Sequence, residues 1–268
     1  GSGKSTLLKL ITGQLRPDTG EVRVLGRDPF ADPHAMISLG LCPEHDKFYE
    51  ELPASQFVAA LVRLHGFDGK ESDRRAREAL VRVGLERAAD KRLREMSRGM
   101  RQRVKIAQAI AHDPRVVLLD EPLTGTDPVG RADLIALVAS LGAGDRTVVV
   151  SSHVLHEIEA MTHQVVVVRY GRLRAQGNIR RLRSLLDDRP YRIHVELEQA
   201  RTLATAMLHS TSVRAIAMID ARTIELTTVD LDGICDELPR TAASLGLVLE
   251  RMTSPDADLE SLYRYLVS

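Results

Sequence analysis

Val116-Val117-Leu118-Leu119-Asp120-Glu121-Pro122 sets four apolar residues directly before two carboxylates and a proline. An unbroken apolar run of this length reads as a strand buried on both faces of a parallel sheet. Open parallel sheets take ligands at the carboxyl ends of their strands, which is where Asp120 and Glu121 fall. On this reading Asp120 holds Mg²⁺, directly or through water, and Glu121 faces an attacking water as general base. The pair also has a plain structural use, because acidic residues after a strand often cap the following turn.

Working outward, helical periodicity over residues 99–111 precedes this strand, and a helix over 130–141 and a second buried-type strand over 147–150 follow it. Upstream, short strands are expected over 21–25 and 37–41, and charged amphipathic helices over 55–64 and 73–83. A hairpin over 165–169 and 173–175, turning at Tyr170-Gly171-Arg172, closes this first part. Beyond residue 178 the expected order is strand 191–197, helix 199–209, strand 213–219, strand 223–227, helix 231–245, strand 247–252 and helix 257–267. That βαββαβ order is ferredoxin-like. Pro239 should kink or shorten the second of those helices.

The chain begins Gly1-Ser2-Gly3-Lys4-Ser5-Thr6, followed by apolar residues at helical spacing. This matches the end of a Walker A phosphate loop, G-x-x-x-x-G-K-[ST], without its first glycine. Glycines let backbone amides curl around phosphate oxygens, Lys4 offers a charge to the β and γ phosphates, and the Ser5 hydroxyl suits Mg²⁺. The bland alternative is a flexible Gly/Ser terminus. If the loop reading holds, the parental chain extends upstream by a strand entering the loop and an aromatic residue that stacks on adenine. A chain that starts at Gly1 is then expected to bind ATP weakly.

Met96-Ser97-Arg98-Gly99-Met100 resembles the ABC signature in its S-[KR]-G-M form, with Arg98 and Met100 departing from LSGGQ. Thr124-Gly125-Thr126-Asp127 resembles the D-loop, with Thr126 where Leu is usual, and Ser151-Ser152-His153 resembles the H-loop. Leu41-Cys42-Pro43-Glu44 stands at the Q-loop position, with Glu44 where Gln is usual. Walker A, Q-loop, signature, Walker B, D-loop and H-loop occur in family order, and the resemblance to ABC ATPases covers about residues 1–178.

The resemblance implies an α/β fold, a RecA-like P-loop ATPase core with antiparallel strands and an inserted helical subdomain at about 52–111, N-terminally incomplete. A small α+β, ferredoxin-like accessory domain over 179–268 completes the chain. It implies ATP binding by Gly1, Ser2, Gly3, Lys4, Ser5, Thr6, Glu44, Ser97, Gly99 and Asp127. Catalysis is expected from Glu121 and His153, and Mg²⁺ with ATP is expected at Ser5, Glu44 and Asp120. Ser97 and Gly99 would receive the γ-phosphate held by a second copy, so a homodimer is implied, working with a separate transmembrane permease, most simply an exporter. The chain would then be cytoplasmic and peripheral on the inner face of the cell membrane. As isolated residues, Ser97 reads as an N-cap and His153 as a strand-end histidine.

Lys+Arg and Asp+Glu balance at 37 each, so no global field points to nucleic acid, and the Arg172, Arg174, Arg180, Arg181, Arg183 cluster lacks interleaved aromatics. Nucleic acid is therefore not an expected partner. Cys42 and Cys235 stand outside any CxxC spacing, which fits a reducing compartment. His153, His156 and Glu157 also suggest a metal cluster, but His153 ends a strand in a phosphate-site context, so a metal held by these three is not expected. A soluble ABC ATPase acting on ribosomes or DNA is the rival reading. Such relatives carry two linked ATPase halves or a long coiled-coil insertion, and neither pattern is present. A non-hydrolysing regulatory subunit would normally lack Glu121 or His153.

Overall fold

In the computed structural model, which describes residues 2–184 and 190–255, the chain divides into two units, 1–162 with 168–172 and 163–167 with 173–268. The first contains α1 (Lys4–Ile11), α2 (His34–Ile37), β1 (Leu39–Cys42), α3 (Ala54–Arg63), α4 (Gly69–Arg82), α5 (Arg98–Ile110), β2 (Val116–Asp120), α6 (Pro128–Leu141), β3 (Thr147–Ser151) and α7 (Leu155–Met161). Its three strands run parallel in the order β1-β2-β3, with Asp120 paired to Ser151 at the last rung.

β2 is the centre of this unit because both of its faces are covered. Val117 and Leu119 join one hydrophobic cluster with Phe57, Leu80, Ile106 and Leu134 from the helices, while Val116 and Leu118 join another with Leu8 of α1. The unbroken apolar run in the sequence is thus explained by two-sided burial. Packing is tightest where α5 crosses β1: a Cβ on Gly40 would lie 1.9 Å from the Ala109 carbonyl oxygen, so only glycine fits.

The expected strand over 21–25 is absent. Val24 and Arg27 instead exchange both backbone bonds across Leu25 and Gly26, whose φ values of 51° and 81° make a tight hairpin turn. An alternating pattern cannot build a strand without a neighbouring ladder, and among the described residues the one bridge here joins Val24 to Arg27. The strand expected over 37–41 moves to β1, with α2 occupying its start. The helix expected over 73–83 begins earlier at Gly69, because the Asp68 carboxylate accepts from the Glu71 amide at 2.9 Å and caps it. Helix α7 was not anticipated.

β4 (Gln164–Arg169) and β5 (Arg172–Asn178) form a two-stranded hairpin turning at Tyr170-Gly171, both at positive φ. The second unit continues with α8 (Ile179–Ser184), β6 (Tyr191–Glu196), α9 (Ala200–Met207), β7 (Ala215–Met218), β8 (Thr223–Thr228), α10 (Leu231–Ser244) and β9 (Arg251–Thr253). The sheet order is β7-β8-β6-β9 with every pair antiparallel, which is the ferredoxin-like arrangement. Ile193, Val195, Ile224 and Leu226 point to one face and pack with Leu203 and Met207 of α9 and Ile234 and Leu238 of α10. Pro239 does not shorten α10, which runs through it to Ser244; the proline removes one amide donor and the remaining turns, with Leu238 and Ala242 buried, hold the helix. The expected helix over 257–267 lies outside the described residues.

His112 follows α5 and is buried, with its Nε2 donating to the Leu39 carbonyl at 2.9 Å and its ring stacked on that of His65 at 3.7 Å. Burial, with a smaller effect of His65, pushes the His112 pKa down to about 4, and burial also lowers that of His65. The folded value lies below the unfolded one, so the unfolded chain binds more protons between the two. Stability is therefore full above the ordinary histidine range and falls as pH drops toward the folded value. Urea unfolding at about pH 7.5 and about pH 5 should show a loss of roughly 1–3 kcal/mol on acidification, and His112→Gln, which keeps a donor for Leu39, should flatten it. An equal loss in the variant would exclude the histidine as its source.

Candidate functional site

The carboxyl ends of β1, β2 and β3 lie side by side, and each is followed by residues singled out in the sequence. Glu44 follows β1 by two residues, Asp120 ends β2 with Glu121 next, and His153 follows β3 by two. The register that pairs Asp120 with Ser151 brings the last two groups together.

Asp120 is buried, and its Oδ1 accepts the Ser151 hydroxyl hydrogen. One further oxygen of Asp120 remains able to accept from, or bind, another group. Glu121 sits at φ 49°, a left-handed conformation that glutamate rarely adopts. Its amide donates both to the Ser151 carbonyl and to the Ser151 hydroxyl oxygen, each at 3.1 Å, which holds the strained turn. The Glu121 side chain is pinned by His153, whose Nδ1 lies 2.9 Å from Oε2. An ionised carboxylate can only accept, so Nδ1 carries the hydrogen and Nε2 is left for another partner. The His153 side chain is 70% exposed and that of Glu121 only 14%, so the carboxylate is sheltered while the imidazole meets solvent.

At the head of α1, Gly3 has φ 96° and a Cβ there would lie 3.2 Å from the Gly171 Cα. The Gly171 amide donates to the Ser2 carbonyl at 3.0 Å, so the β4–β5 turn backs the start of the loop. Lys4 Nζ donates to the Ser2 hydroxyl at 3.3 Å, while Ser5 and Thr6 are exposed on the first turn. A glycine-requiring turn feeding exposed helix amides and hydroxyls suits a phosphate. Gly1 lies outside the described residues. The donor set of Ser5 with Asp120 also suits a hard divalent cation, because both offer oxygen.

The other predicted residues have contacts of their own. Ser97 caps α5, accepting from the Met100 amide at 3.3 Å, and Asp127 caps α6, accepting from the Gly130 amide at 2.9 Å. That backbone bond holds the Asp127 carboxyl below the usual carboxylate range. Both residues thus have the structural use their type allows, and Ser97 is exposed with open space beside Gly99. The Glu44 side chain is half exposed, 3.7 Å from His45. Its main chain is fixed by Lys105, whose Nζ donates to the Pro43 and Glu44 carbonyls at 3.0 and 2.7 Å. His153, His156 and Glu157 do not form a metal cluster among the described residues.

A family profile described as ABC transporter matches residues 1–124. The daunorubicin resistance ATP-binding protein DrrA3 of Streptomyces coeruleorubidus is 32% identical over 269 residues, covering 99% of this chain and 84% of that protein. This chain belongs to the ABC transporter ATP-binding family. A solved ATP-binding subunit of an ABC transporter superposes with TM-score 0.63 at 27% identity, over 69% of this chain and 78% of that one. A dimeric ATP-binding cassette solved in a post-hydrolysis state with ADP and Pi superposes with TM-score 0.60 at 26% identity, over 66% and 81%. The chain spans between 51% and 60% of the length of three other ATP-binding relatives. As a member of this family it is an ATP-hydrolysing cassette with a RecA-like core.

Several supporting residues had no role in the sequence reading. Ser151 bonds Asp120 and Glu121, Lys105 holds the chain at Glu44, and Gln102 of α5 donates to the Pro122 carbonyl at 2.6 Å just past β2. The available signal was polar residues at buried helix positions: Gln102 and Lys105 lie three apart among Val104, Ile106 and Ala107. Ser151→Ala removes the donor to Asp120 and one acceptor of the Glu121 amide. Urea denaturation should show a loss of about 1–3 kcal/mol, and an unchanged midpoint would mean that the turn is held by the backbone alone.

Proposed function

We propose that two copies of this cassette close on two ATP molecules and drive export through a separate membrane permease. The observation that supports this best is the convergence of Asp120, Glu121, Ser151 and His153 at the ends of two paired parallel strands. A buried carboxylate, a sheltered carboxylate and an exposed imidazole joined in this way are what hydrolysis of a phosphoanhydride needs.

In this reading the amides of Gly1, Ser2 and Gly3 and the Lys4 ammonium hold the β and γ phosphates, with Thr6 on the same first turn. Ser5, Asp120 and Glu44 hold Mg²⁺, which when bound neutralises charge on the phosphate oxygens. Glu121 takes the proton from the attacking water, and the His153 Nδ1–H keeps the carboxylate aimed while Nε2 is free for the γ-phosphate. Ser97 and Gly99 serve the ATP of the other copy. Exposure of Ser97 and the open space at Gly99 support this, since an anion can approach the start of α5 without hindrance. Asp127 lies on the turn that follows the catalytic strand and belongs to the same interface.

Export as the direction is supported by the resistance role in the name of the Streptomyces relative. In this reading the permease is a separate chain or segment and the cassette acts on the inner face of the membrane; among the described residues no helix is long and apolar enough to cross a membrane. The division proposed at residue 178 makes 179–268 an accessory domain without a catalytic group.

The test is ATP-dependent association of the intact protein. In a hydrolysis-blocked Glu121→Gln background, size-exclusion chromatography with ATP should show a dimer. Adding Ser97→Arg should return the monomer, and Lys4→Ala should fail to bind nucleotide at all. A Ser97→Arg protein that still dimerises on ATP would remove Ser97 from the interface.

A further inference from the structure

Glu157 is a carboxylate that neither hydrolysis nor nucleotide binding uses, yet its side chain is only 4% exposed. A buried carboxylate costs stability unless its partners repay it, so those partners are informative. One oxygen, Oε2, accepts from the Ser152 hydroxyl at 3.3 Å, and Oε1 lies 3.4 Å from the Arg131 guanidinium. The Ser152 hydroxyl oxygen in turn accepts from the Val154 amide at 3.0 Å. Ser152 and Val154 flank His153, so Glu157 holds the hydroxyl that ties the residue before the imidazole to the amide after it.

Arg131 reaches the other way. It lies on the first turn of α6, and its guanidinium donates to the Thr126 carbonyl at 3.4 Å, one residue before Asp127. Its Nε is, among the described residues, a buried side-chain nitrogen with no hydrogen-bond acceptor. Through its terminal nitrogens the guanidinium joins the Thr126 carbonyl to the Glu157 carboxylate, and so the turn over 124–127 to the helix that follows the turn over 152–154.

We infer that Arg131 and Glu157 are positioning residues that couple the turn over 124–127 to His153, keeping the imidazole in register with the Glu121 carboxylate. The chain of contacts runs from the Thr126 carbonyl through Arg131, Glu157 and Ser152 to the backbone at His153. Any shift of the 124–127 turn is thereby transmitted to the general base. Neither residue touches the reacting atoms; both act through His153.

This inference rests on the hydrolytic role given above to Glu121 and His153, and the experiment separates the two. Glu157→Gln keeps the shape and an acceptor for Ser152 but loses the charge that holds Arg131. In the intact protein, steady-state and single-turnover ATPase assays should show kcat reduced about 10-fold or more, with KM for ATP within about twofold, because misplacement of a catalytic group is costly while binding is untouched. Placed in a His153→Ala background, Glu157→Gln should cause no further loss, since it acts through the missing imidazole. A reciprocal Arg131→Glu with Glu157→Arg should recover part of the rate lost by either single change. Thermal unfolding reports whether each variant folds. Parental turnover in Glu157→Gln beside a crippled His153→Ala would overturn the coupling and leave the site reading intact, as would the same fold-loss in both backgrounds, which marks a merely structural role. Parental turnover in His153→Ala would overturn both.

Discussion

One hydroxyl, that of Ser151, keeps the ends of β2 and β3 working as a unit. It donates to Asp120 and accepts from the Glu121 amide, so the Asp120 carboxylate and the Glu121 backbone are both held by the neighbouring strand. Adjacent residues on a strand would normally face opposite ways. The left-handed turn at Glu121 breaks that alternation, and the Ser151 carbonyl and hydroxyl together offset the strain. What β2 gains from burial on both faces is rigidity at its end, where a misplacement of about 1 Å is expensive in rate.

The same logic extends to the surroundings. α5 is set on β1 by the close approach at Gly40 and tied to the segment after β2 by Gln102, while Lys105 fixes the chain leaving β1. One helix therefore carries Ser97 at its exposed start and anchors the exits of two sheet strands farther along. Movement of α5 as a rigid body would be felt at Glu44 and Pro122. The β4–β5 turn supports the head of α1 through Gly171, and on the α1 side a Cβ at Gly3 would lie 3.2 Å from the Gly171 Cα.

The parts of this structure legible in the sequence are those governed by local pattern. Two-sided burial gives an unbroken apolar run, so 116–119 announced β2 and its carboxylates. The alternation in 191–197 and 223–227 announced β6 and β8 of the ferredoxin-like unit. Where pattern lacked a partner it misled: residues 21–25 alternate like a strand but meet only a tight turn, with Leu25 itself at positive φ. At the site, Asp120, Glu121 and His153 were visible by type and position. Ser151 and Lys105 gain their roles from partners 30 to 62 residues away, and Arg131 of α6 meets Glu157 of α7, which no local pattern encodes. Ser97 and Asp127 carry N-cap bonds that their residue types predict by themselves, so sequence alone could not separate capping from phosphate recognition.

The central claim is that Glu121 accepts the proton from the attacking water. Its most direct measurement is the rate of phosphate release by Glu121→Gln in the intact protein under saturating ATP, with nucleotide binding monitored in parallel. The amide keeps the size and the bond to His153 but cannot take a proton, so release should fall by about 10²–10⁴ while ATP binding persists. Release at the parental rate would contradict the claim and leave Glu121 as the strained end of a strand with no part in the chemistry.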